Sequence, residues 1–164
     1  MTEEYKRKAF RCDRDGIHKL TEQLEKDANK KGNYIIFNTR KNDEYSHIDI
    51  TATAYTYTGE CIAKYAIEFK ELPDTAHTDC SDWMVEDDKE MYLKEAETEG
   101  YIPLYAYLWK DNYYALWNIN KWDKSKPRKV YKKRHTMGNY NECKDAYYNC
   151  FVTLNSAVKQ GYLN

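Results

Sequence analysis

Asp49, Glu68 and Lys70 have the residue types and the spacing to act together on a phosphodiester. Hydrolysis of that bond needs a water made nucleophilic, charge stabilisation at phosphorus and a proton for the leaving oxygen. A divalent ion held by carboxylates supplies the first two. Mg²⁺ suits the task because it is hard, prefers oxygen ligands and keeps several waters. A lysine beside it can orient the water or neutralise developing charge. Glu68 and Lys70 are two apart, so on a strand they share a face. Asp49 has to come from a neighbouring strand.

The stretch Ser46–Glu71, SHIDITATAYTYTGECIAKYAIEFKE, is built to provide that neighbour. Ile48, Ile50, Ala52 and Ala54 alternate with Asp49, Thr51, Thr53 and Tyr55, a strand pattern. Thr58-Gly59-Glu60 makes a turn. Cys61–Lys70 is then a second strand, with Ile67 and Phe69 on one face and Ala66, Glu68 and Lys70 on the other. Such a strand is half core and half site, because an unpaired charge on a central strand is costly. The plain alternative is a same-face ion pair between Glu68 and Lys70 on an exposed strand, with little effect on stability.

The surrounding elements follow from periodicity and breakers. Residues 1–13 read as a charged lead-in. Asp15 caps a helix starting near Gly16, with Ile17, Leu20, Leu24 and Ala28 along one stripe and Gly32 as its end. Tyr34–Phe37 is a short strand. Ser81 or Asp82 caps a long helix running to about Glu99, with Met84, Val85, Met91, Tyr92 and Ala96 as its apolar stripe and Gly100 as its stop. Ile102–Trp109 and Tyr113–Ile119 form a hairpin around Lys110-Asp111-Asn112. Residues 121–138 read as a basic loop, and 139–161 as a C-terminal helix. The sum is one α/β or α+β domain with a mixed central sheet of about five strands flanked by helices.

Composition bounds the function. At 164 residues the chain suits a single domain, and its 17 Tyr, 4 Trp and 4 Phe supply core rings with wettable edges. No apolar run approaches the roughly 18 residues of a membrane span. The five cysteines, an odd number with no CxxC pair, speak against a disulfide framework and for a reducing, cytoplasmic setting. The histidines are too scattered for a zinc set. No Gly-rich phosphate loop occurs, so nucleotide-driven chemistry has no support. The net charge of −1 hides segregation: Glu68–Glu99 holds 12 acids and 3 lysines, whereas Lys121–His135 holds 8 Lys/Arg and one acid. A basic segment on a near-neutral protein points to a local anionic partner.

Asp49 followed by Glu68-Phe69-Lys70, with a helix before the strands and a helix and strand pair after them, resembles the PD-(D/E)XK nuclease motif of the restriction-endonuclease-like fold. The residue before Asp49 is Ile48 in place of the family's frequent proline. The resemblance implies a Mg²⁺- or Mn²⁺-dependent nuclease, acting on nucleic acid and in particular DNA. Asp49, Glu68 and the Phe69 backbone carbonyl would hold the metal and Lys70 would position the water. Lys89 matches the Lys or Gln that many members carry on the following helix. Glu25 is the counterpart of a first-helix acid found in some. Lys126, Arg128, Lys129, Lys132, Lys133 and Arg134 would meet backbone phosphates. A homodimer would let two sites address two strands. The same fold includes members that have lost catalysis and bind nucleic acid or protein instead.

Overall fold

The structure is a computed structural model that describes residues 3–39, 47–121, 130–135 and 143–163, with backbone alone for 3–13, 87, 130–135 and 143–151. Among these residues the order is α1 (Glu3–Asn29), β1 (Asn33–Thr39), β2 (Ile50–Thr56), β3 (Cys61–Leu72), β4 (Trp83–Glu86), α2 (Asp87–Thr98), β5 (Ile102–Trp109), β6 (Tyr113–Asn118), β7 (Val130–His135), β8 (Cys143–Val152) and β9 (Lys159–Tyr162). The fold is α+β. The central sheet has six strands, in the order β1-β2-β3-β5-β6-β9, and a second sheet has three, β4-β8-β7.

The centre of the large sheet is β3 beside β5, a parallel pair; the other neighbours among its described strands are antiparallel. A parallel pair needs a crossover, and β4 with α2 provides it. Alternation along β3 divides the core. Ile67 and Phe69 join Ile50, Leu104, Ala106, Leu108 and Leu116 under Leu20 and Leu24 of α1. On the other face Ala66, Tyr105, Tyr107, Trp109 and Trp117 pack against Trp83, Val85, Leu93 and Val152. There α2 and the small sheet, rather than a helix layer alone, cover the strands. The Trp117 indole donates to the Thr153 carbonyl at 2.9 Å, and the Tyr107 hydroxyl donates to the Met84 carbonyl, so both fasten the small sheet to the large one.

Several sequence expectations are corrected. The lead-in is helical: α1 starts at Glu3 and runs through Gly16. Gly16 is no helix start but a contact, since a Cβ there would lie 2.8 Å from Phe69 Cζ. The helix expected from Ser81 begins only at Asp87, because Trp83–Glu86 pairs with β8 as a strand. Residues 130–135 of the basic loop form β7. The expected helix over 139–161 is replaced, where described, by β8, a 3₁₀ turn at Leu154–Ser156 and β9. The helix stops hold: Gly32 and Gly100 follow α1 and α2 at φ of 72° and 88°.

Candidate active site

The site forms where β3 outruns β2. The β2–β3 ladder ends at Ile50↔Ile67, and Asp49 sits in a bend just before β2. This bend also turns Ile48 away from Ile50: Ile48 packs on the aromatic face, while Ile50 stays in the core beneath α1. From the bend, Asp49 Oδ2 accepts a hydrogen bond from the Phe69 N–H at 3.0 Å. Asp49 is therefore clamped to the strand segment that carries Glu68 and Lys70. In an extended strand the N–H and C=O of one residue leave along the same edge. The Phe69 carbonyl thus lies on the Asp49 side of β3, beyond the last rung of the ladder.

Glu68 is only 4% exposed and faces α2 and the aromatic core. It does not pair with Lys70. Its Oε1 contacts the Lys89 ammonium at 2.5 Å, and Lys70 instead lies 3.6 Å from Glu86. The exposed-pair alternative is thereby excluded. Glu68 Oε2 is buried and accepts no hydrogen bond among the described residues. Burial, then the nearby Asp49 charge, push the Glu68 carboxyl up to about 8, with Glu86 adding to the effect and Lys89 opposing it. Burial alone would lower the Lys89 ammonium, but Glu68 and Asp49 outweigh it and raise Lys89 above the usual lysine range.

Lys89 occupies the third position of α2. A cation in the first turn of a helix faces the positive end of the helix dipole, typically at a cost of about 0.3–1 kcal/mol. Its partner Glu68 offsets that cost. Glu86 is the residue that sequence patterning misses. It is 5% exposed and stands at the junction of β4 and α2, where the strand pairing slips by one residue between Val85 and Glu86. In the interior of a long helix it would have no motif spacing. A β-strand assignment for Trp83–Glu86 is the signal that would expose it.

Other predicted residues lie apart or outside. Glu25 is exposed on α1, whose core side chains pack beneath the opposite face of the sheet. Lys126, Arg128 and Lys129 fall outside the described residues. Lys132, Lys133 and Arg134 lie on β7, opposite Ala146, Asp145 and Lys144. His47 stacks on Tyr92 of α2 with centroids 3.7 Å apart, beside the Asp49 bend. His77 is held by Asp111 at 2.5 Å and stacks on Tyr113, which makes it a packing residue of the 74–80 loop.

Among the described residues no three His, Cys, Asp or Glu side chains group closely enough to hold a metal ion. Two carboxylates and a main-chain carbonyl remain as donors: Asp49, Glu68 and Phe69. These are the groups that would hold a divalent ion, and the buried Glu68 Oε2 without a donor, near the repelling Asp49 charge, is compatible with a small hard cation. No described helix is long and apolar enough to cross a membrane. Comparison with family models, with curated proteins and with solved structures finds no match to this chain.

Proposed function

We propose that this protein is a Mg²⁺-dependent nuclease of restriction-endonuclease-like architecture that hydrolyses phosphodiester bonds in DNA. The observation that carries the reading is the convergence on Glu68. Its buried carboxylate has Asp49 across the strand end, Lys89 in contact and Lys70 two residues along the same face. The cluster lies toward the carboxyl end of β3, beside parallel β5, where open sheets with parallel strands place their ligand crevices. Asp49, Glu68 and the Phe69 carbonyl would hold the metal. When bound, it supplies an activated water and charge neutralisation at phosphorus. Lys70 orients the attacking water, and Lys89 offsets the charge of Glu68 and the phosphate. The basic segment 121–135 takes backbone phosphates without reading sequence, and Mn²⁺ substitutes for Mg²⁺.

The test is incubation of supercoiled plasmid with the protein and Mg²⁺ or Mn²⁺, beside Glu68→Ala and Lys70→Ala. The wild-type chain nicks or linearises the plasmid, and each variant loses about 100-fold or more in rate. Equal cleavage by all three sinks the site. One observation favours a second reading, an inactive member that binds nucleic acid: Lys89 already satisfies Glu68 Oε1. Salt-dependent DNA binding without cleavage under either metal would decide for it.

A further inference from the structure

We infer that Glu86 is a positioning residue of this site, whose buried carboxylate holds the Lys70 ammonium toward Glu68 and Asp49. The inference rests on the nuclease reading and extends it to a residue outside the motif.

A carboxylate 5% exposed costs free energy unless something nearby needs its charge. Glu86 occupies the N-cap position of α2, yet its side chain makes no capping hydrogen bond. Glutamate is in any case a poor cap beside Asp, Asn, Ser or Thr. Among the groups it meets is the Lys70 ammonium, with Nζ 3.6 Å from its Oε1. The two partners differ in freedom: the Glu86 side chain is 7% exposed, that of Lys70 36%. Glu86 is the fixed member and Lys70 the one it restrains.

The backbone aims it there. The register slip between Val85 and Glu86 is the local distortion that re-points a side chain at the end of a strand. Val85, 1% exposed, anchors the slip in the aromatic core. Tyr107 lies directly opposite Lys70 in the β3–β5 register, and its hydroxyl bonds the Met84 carbonyl. One tyrosine thereby docks β4 at the rung that carries Lys70.

A kinetic double-mutant cycle tests this with the full chain on supercoiled plasmid at saturating Mg²⁺, comparing wild type, Glu86→Gln, Lys70→Ala and the double variant. Glu86→Gln lowers kcat about 10- to 100-fold, as loss of an orienting partner does. It leaves KM for DNA and the Mg²⁺ requirement unchanged, and Glu86→Asp recovers part of the rate. In the Lys70→Ala background Glu86→Gln has no further effect. Additive losses, or a raised Mg²⁺ requirement that would make Glu86 a metal ligand, overturn the inference while leaving the nuclease reading intact. Should Glu86→Gln not fold, Glu86→Asp takes its place in the cycle, and the same non-additivity decides. A wild-type chain that cleaves under neither metal overturns both.

Discussion

The two faces of β3 are made by the same short run of residues and do opposite work. Ile67 and Phe69 enter a mostly aliphatic core beneath α1, where the Tyr114 hydroxyl donates to Asp27 and neither β3 side chain brings a charge. Ala66, Glu68 and Lys70 face an aromatic layer whose Tyr107 and Trp117 carry polar handles that reach backbone carbonyls. Buried charge is tolerated only where something else supplies stability. In β3 the supplier is one residue away, on the other side of the sheet. Stability and chemistry are thus assigned by parity, and substitutions at adjacent positions should separate them.

Phe69→Ala gives the largest effect. Removing a buried phenyl ring costs about 3–5 kcal/mol, read as a drop in the urea midpoint with the slope unchanged. Cleavage per folded molecule persists, because the Phe69 group assigned to the metal is its main-chain carbonyl. Loss of cleavage with full stability would break the division of labour.

Glu68→Gln probes the other face through pH. The folded Glu68 carboxyl titrates near 8, against an ordinary value of 4.5. A raised folded value means that between about 4.5 and 8 the native state holds a proton that the unfolded state has released. The contribution is fully present below pH 4.5 and disappears as pH rises through 8. Stability should therefore fall across that window, by at most about 1.4 kcal/mol per pH unit from this group. Glu68→Gln, which cannot titrate, should flatten the profile in chemical denaturation at stepped pH. A profile of equal slope in both proteins would show that the charge of Glu68 is already matched.

How much of this is legible in the sequence depends on whether a residue's neighbours lie nearby along the chain. The parity of Ile67, Glu68, Phe69 and Lys70 follows from strand geometry alone, and the structure keeps it. The α1 stripe through Leu20 and Leu24 is equally local. Glu86 is not legible, because Met84, Val85, Met91 and Tyr92 fit a helical stripe as well as a strand followed by a helix. Only pairing of Trp83–Glu86 with β8, distant in the chain, decides between them. The tail misleads in the same way: Tyr147, Phe151, Leu154 and Val158 recur at helical spacing, but residues 143–152 find partners in β4 and β7. Residues 3–13 carry helix formers and no Pro or Gly, so propensity points correctly where the search for an apolar stripe does not.

The smallest predicted effect sharpens the comparison at its seam. Gly16→Ala adds a methyl group between α1 and β3. In a helix interior, alanine gains up to about 1 kcal/mol over glycine. Against this, the new Cβ would lie 2.7 Å from Glu71 Oε2 and 2.8 Å from Phe69 Cζ. A carboxylate at the end of a flexible side chain can swing aside, whereas a ring 7% exposed in a packed core cannot. Overpacking of this kind costs about 1–3 kcal/mol, so the net change should be a loss of about 1 kcal/mol in urea unfolding, with cleavage unaltered. The sign rests on Phe69. In a Phe69→Ala background the ring is gone and Gly16→Ala should become neutral or stabilising. A loss of the same size in both backgrounds would mean that α1 is held off the sheet by something other than the apolar face of β3.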